Sequence, residues 1–129
     1  MAELIQTPED IRHLVDSFYQ KVQTDALLGP VFNEIAQVDW AHHLPRMYGF
    51  WEKMLLGTGH FEGNPMRTHL DLNQKHPLTS EHFQRWLQLF EETIAENFEG
   101  QKAEIAIERA KSIATVMQSK IAQAKRHFS

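Results

Sequence analysis

The sequence predicts an all-α protein. Apolar residues recur at the helical spacing of three and four in four separate stretches, and capping residues stand just before two of them. No stretch of useful length alternates apolar and polar residues with the period of two that a half-buried strand requires. With 129 residues, 42% hydrophobic and 23% charged, the chain fits one domain over 1–129. Folding at that length buries roughly two-thirds of the surface the unfolded chain exposes, enough for a real core.

The first helix is expected from Thr7, which can cap it, and from Pro8, whose fixed φ suits the first helical position. Glu9 and Asp10 favour the positive end of its dipole. Ile11, Leu14, Val15, Phe18, Tyr19 and Val22 form its apolar stripe. The run Asp25-Ala26-Leu27-Leu28-Gly29-Pro30 breaks it, and a short helical turn over Val31 to Ile35 is expected to follow. A second long helix is expected over 39–56, with Trp40, His43 or Leu44, Met47, Phe50, Trp51 and Met54 as its stripe. Pro45 removes one helical hydrogen bond there, so an irregular first turn is expected.

Gly57, Gly59, Gly63 and Pro65 then read as a loop, 66–70 as a short helical piece and 71–77 as another loop. An irregular region that long between helices usually carries function. Thr79 or Ser80 caps a third long helix with Phe83, Trp86, Leu87, Phe90 and Ile94 on its stripe, and Gly100 ends that region. The last helix covers 101–125, with Ile105, Ala106, Ala110, Ile113, Met117 and Ile121 facing inward.

Composition excludes several function classes. A net charge of −4 argues against nucleic acid as a partner, because phosphate binding needs a basic face. No run of about 18 apolar residues is present, so no membrane span is expected. The N-terminal residues lack the basic and apolar regions of a secretory signal, which makes a cytoplasmic protein the expectation. The absence of cysteine excludes disulfides, thiolate catalysis, iron–sulfur clusters and cysteine zinc sites. Phosphate-binding, dinucleotide, zinc-protease, hydrolase and calcium-loop motifs are absent as well. A di-iron bundle would use paired Glu-x-x-His motifs; Asp10 with His13 and Asp39 with His42 are the nearest approaches to it.

Four residues stand out as carriers of chemistry. His69 lies on a short segment after a glycine-rich loop and among apolar helices. A single imidazole so placed is one way to hold haem from one side, leaving the other face of the iron open to a gas. Alone it has no specificity, since a loop histidine that caps a helix or faces water is the commoner case. Tyr19 sits on an apolar stripe, where a buried hydroxyl needs a partner: a backbone carbonyl in the usual case, a polar ligand in the sharper one. Trp86 is either core packing or an N–H donor toward the same ligand. His43, one helical turn before Met47, is either a partly buried histidine or a gate and third polar group. Phe32, Met47, Phe50 and Trp51 offer flat or adaptable apolar surface, which serves a core or a cofactor pocket equally.

Taken together the blocks are more specific. Phe18-Tyr19, Leu27-Leu28-Gly29-Pro30-Val31-Phe32, Trp40 with His43, Phe50-Trp51 with Leu55-Leu56-Gly57, Gly63-Asn64-Pro65 with His69-Leu70, and His82-Phe83 with Trp86-Leu87 and Leu89-Phe90 follow in order. In this order and spacing the chain resembles the bacterial truncated haemoglobins of the third group, over about residues 5–120. The resemblance implies a two-over-two helical sandwich around haem b. It implies His69 as the proximal iron ligand, Tyr19, His43 and Trp86 as distal ligand-binding residues, and Phe32, Met47, Phe50 and Trp51 as haem contacts. Arg67 and Lys75 are positional candidates for the haem carboxylates.

The function expected from this pattern is a monomeric haem protein that binds oxygen reversibly but slowly, and carbon monoxide or nitric oxide as well. The alternative is an enzyme that removes nitric oxide or peroxide. That chemistry needs electrons from a separate reductase, since the chain carries no flavin or nicotinamide motif. A third possibility is a helical protein without haem, in which the aromatic residues are only core.

Overall fold

A capping box starts the first helix where the sequence predicts it. The computed structural model describes residues 2–35, 37–59 and 78–128. Thr7 Oγ1 accepts the Asp10 N–H at 3.3 Å, and the Asp10 carboxylate accepts the Thr7 N–H at 3.0 Å. Helix α1 (Pro8–Thr24) then buries all six residues of its expected stripe. Before it, Glu3 pairs with the chain around Phe98, its N–H donating to Asn97 O at 3.0 Å and its O accepting from the Glu99 N–H at 2.9 Å. That strap buries Ile5 in the core.

A sharp corner follows α1. The Asp25 carboxylate accepts the N–H groups of Leu27 at 3.1 Å and Leu28 at 3.0 Å, which opens the short helix α2 (Leu28–Pro30). Its other oxygen accepts from Arg85 Nε at 2.7 Å. The Asp25 side chain is only 5% exposed, so the pair ties this corner to the helix that carries Arg85. Gly29 permits the turn: a Cβ there would lie 2.7 Å from the carbonyl oxygen of Gln23. Gly29→Ala should therefore cost about 1–3 kcal/mol, read as a lowered urea midpoint with an unchanged slope. An unchanged midpoint would show that the corner relaxes without strain.

The expected turn over Val31–Ile35 forms, but as a π-helical turn. Helix α3 (Trp40–Leu56) comes next, and here the structure corrects the sequence reading. Its first turn is regular, with the His43 N–H donating to Asp39 O at 2.8 Å, and the helix runs unbroken through Pro45. Ala41 and Pro45 are both exposed, so water can serve the carbonyl that Pro45 leaves without a helical donor. Gly57 ends α3 in the left-handed region, φ 75°, with its N–H donating to Lys53 O at 3.1 Å.

Helix α4 (Ser80–Asn97) is capped by Thr79, and helix α5 (Gln101–Phe128) follows the Gly100 turn. Ile105 is a second correction: it is exposed, and Ala103, Ala106, Ala110, Ala114, Met117 and Ile121 form the buried stripe of α5. Ile105 lies two residues after Ala103 and one before Ala106, so on a 3.6-residue repeat it falls on the flank of that stripe.

Helix α1 packs on both α3 and α4, and α4 packs on α5. The junction is aromatic: Phe18 meets Phe90 edge-on at 5.2 Å, and Trp51 stacks on Phe90 at 4.9 Å. Among the described residues no helix is long and apolar enough to cross a membrane.

Candidate functional site

Between these helices lies a cleft that encloses about 150 Å3 of water-sized space and opens to solvent, lined mainly by apolar side chains. Seven of the residues singled out in the sequence line it: Tyr19 from α1, Phe32 from the π turn, His43, Met47, Phe50 and Trp51 from α3, and Trp86 from α4. The eighth, His69, lies outside the described residues, as do Arg67, Lys75 and the short helical piece expected around 66–70.

Polar residues reach the cleft from α1, α3 and α4. Tyr19 and His43 stand edge-on with ring centroids 5.1 Å apart. Trp86 packs edge-on against Phe18 at 5.5 Å and parallel to Phe90 at 5.9 Å. Tyr19 is 5% exposed, and burial pushes its phenol well above the ordinary value. At neutral pH it is therefore a protonated hydrogen-bond donor. His43 places Nε2 in the buried interior.

One turn before Tyr19, Asp16 ties α1 to α3 by accepting from the Tyr48 hydroxyl, while the Arg12 guanidinium lies 5.8 Å from the Tyr48 ring centroid. Partial burial pushes the Tyr48 phenol up to about 12, with the bond to Asp16 and its negative charge adding to the effect against Arg12. This contact fixes the two helices that carry Tyr19 and His43.

The Asp25–Arg85 pair performs the same task between α2 and α4, one residue before Trp86. Burial alone would raise the Asp25 carboxyl; the Leu28 N–H, the Arg85 guanidinium and the Leu27 N–H outweigh it and hold the carboxyl below its ordinary value. A depressed native pKa contributes stability in full above the unfolded value of about 3.9, and that contribution is lost as pH falls through the native value. Asp25→Asn should therefore destabilise by about 1–3 kcal/mol at pH 7. The difference from the parent should shrink as pH falls below about 4. Urea unfolding at the two pH values checks both statements, and an equal difference at each would remove the ionic part of the argument.

Sequence reasoning missed several residues of the cleft. Arg46 is on the α3 face that carries His43, three residues on, a spacing that could have found it. His82 lines the cleft while its Nδ1 accepts the Thr79 N–H at 3.0 Å, taking the place that Glu or Gln fills in a capping box. A histidine at the third position of a capped helix was the signal. Ile113 and Met117 were expected to face inward and do, but they face the cleft. Nothing in their pattern distinguishes a cleft wall from a core.

With this geometry in place, comparison with known proteins is direct. Residues 2–119 match the family described as bacterial-like globin. The chain is 37% identical over 114 residues to a group 3 truncated hemoglobin of Campylobacter jejuni, covering 86% of this chain and 87% of that one. The fold superposes on a crystal structure of group III truncated hemoglobin from Campylobacter jejuni with a TM-score of 0.82 and 35% identity, covering 94% of this chain and 95% of that chain. A family match of this extent, with the shared fold, shows that the chain belongs to the bacterial-like globins as a truncated haemoglobin of the third group.

Proposed function

We propose that the protein, as one globin domain over 1–129, holds a single haem b in the cleft and binds oxygen and other diatomic gases there. Membership of a globin family implies haem binding in general. The chemistry of the cleft supports the finer reading: it offers aromatic and apolar walls to a flat macrocycle and sets Tyr19 beside His43 among them. The presence of Tyr19, His43 and Trp86 in one apolar cleft, with the first two in ring contact, is the observation that carries the proposal.

Haem supplies a ligand-binding iron when bound. His69 is the residue proposed to hold it from the proximal side. Phe32, Met47, Phe50 and Trp51 hold its apolar faces, and Arg46 and His82 are the polar side chains of the cleft suited to its carboxylates. Tyr19 donates its hydroxyl hydrogen toward the gas, Trp86 adds its indole N–H, and His43 closes the same wall. Two neutral donors in an apolar pocket slow release, which suits retention or sensing better than bulk delivery. A monomer in the cytoplasm is the setting this reading expects.

The same three polar groups favour a second reading, an enzyme that removes nitric oxide or peroxide with electrons from a separate reductase. A pyridine haemochrome spectrum of the purified protein tests the cofactor: haem b is expected, and another haem type would overturn that assignment. Loss of nitric oxide that is fast only when a reductase is added would move the conclusion from binding to catalysis.

A further inference from the structure

Trp40 is an aromatic residue that the cleft itself does not require. It stands three residues before His43 on the same face of α3, edge-on to the His43 ring at 5.6 Å. Its ring lies 5.6 Å from Tyr19 and stacks on Phe32 at 6.0 Å. The indole N–H donates to Asn33 Oδ1 at 3.1 Å, and Asn33 Nδ2 donates to Gln23 O at 3.2 Å. Gln23 is in the last turn of α1, where carbonyls lack helical partners, so Asn33 caps the helix that carries Tyr19.

A continuous path therefore runs from the end of α1 through Asn33 to Trp40, and from Trp40 onto both rings of the Tyr19–His43 pair. An indole has two side-chain torsions, and a hydrogen bond at its nitrogen fixes both. Without that bond the ring can turn away, and the side of His43 that it now covers is released.

We propose that Asn33 and Trp40 are positioning residues that hold His43 against Tyr19 and so set how fast a gas enters the cleft. This rests on the haem-binding reading above. It goes beyond it by assigning control of entry to a clamp at the start of α3, on residues that do not themselves line the cleft.

Asn33→Leu deletes the bond together with the Asn33 cap on Gln23 O, and Trp40→Phe deletes it together with part of the ring, so an effect they share reports the indole bond. In the ferrous protein, carbon monoxide rebinding after flash photolysis should quicken by about fivefold in each, the worth of one ordinary hydrogen bond. In a His43→Ala background Asn33→Leu should add nothing, because it acts through His43. In the haem-free chain, hydrogen exchange at the Trp40 indole N–H should quicken in Asn33→Leu. An unchanged or slower carbon monoxide rate, an equal acceleration without His43, or unaltered indole exchange would each overturn the clamp. If the parent chain itself takes up no haem, the haem-binding reading fails, and the indole exchange still decides whether Asn33 holds Trp40.

Discussion

His69→Ala is expected to leave the purified protein almost free of haem after gel filtration, whereas His82→Ala should retain it. The cleft contains two described imidazoles, His43 and His82, so the assignment of a third residue as the iron ligand needs a physical reason. A proximal imidazole offers the lone pair of one nitrogen to iron and donates the other N–H to the protein. His82 is arranged the other way round: its Nδ1 accepts the Thr79 N–H, which places the proton of the neutral ring on Nε2 and leaves that nitrogen no lone pair for a metal. His43 belongs to the wall that carries Tyr19.

Loss of an outer partner of a metal ligand costs roughly 10–100-fold in affinity, and loss of the ligand itself should cost more. The haem-to-protein ratio reads the outcome. Retention of haem by His69→Ala together with its loss from His82→Ala would reverse the two roles.

Tyr19→Phe should keep haem and speed oxygen dissociation. The substitution removes only a hydroxyl from a side chain that is 5% exposed, so it opens no cavity and leaves the contacts with Phe18, Phe32 and Trp40 in place. What is lost is a hydrogen bond from an almost wholly buried hydroxyl to a ligand that carries partial negative charge. Such bonds contribute about 1.5–3 kcal/mol, which corresponds to roughly 10- to 100-fold in rate. Because burial raises the phenol, the parent's oxygen off-rate should show no titration from Tyr19 between about pH 6 and 10. Stopped-flow displacement of oxygen by carbon monoxide measures both. An off-rate equal to the parent's would transfer the donor role to Trp86 or His43.

Much of the fold is legible in the sequence because its signals are local. Thr7 with Asp10 marks the start of α1, Thr79 the start of α4, and Gly57 the end of α3, since each acts within one turn of its own position. Pro45 misleads because a proline rule assumes a buried helix, and whether water reaches Ala41 depends on tertiary packing. Ile105 misleads because the first four residues of the α5 stripe, Ala103, Ala106, Ala110 and Ala114, are all alanine, so the larger flank residue dominates the pattern.

The candidate site is legible in part. Tyr19, His43 and Trp86 come to one cleft from three helices, and the order of sequence blocks indicated this through resemblance alone. The Asn33–Trp40 bond joins segments whose relative placement no periodicity records, whereas Arg46 and His82 carried local signals, a helical spacing from His43 and a place in the Thr79 capping box. A wall for a cofactor and a wall for a core use the same residues, so the pattern of Ile113 and Met117 does not tell the two apart.

The most direct test of the account is the absorption spectrum of the protein from haem-supplemented cells, recorded in the ferric, ferrous and ferrous carbonyl forms. An intense Soret band that shifts on reduction and again with carbon monoxide is the expected result, and it would establish a haem with an open ligand face in this cleft. A folded, colourless protein with only the aromatic absorption band would contradict the account and leave the cleft without the cofactor on which the roles of Tyr19, His43 and Trp86 depend.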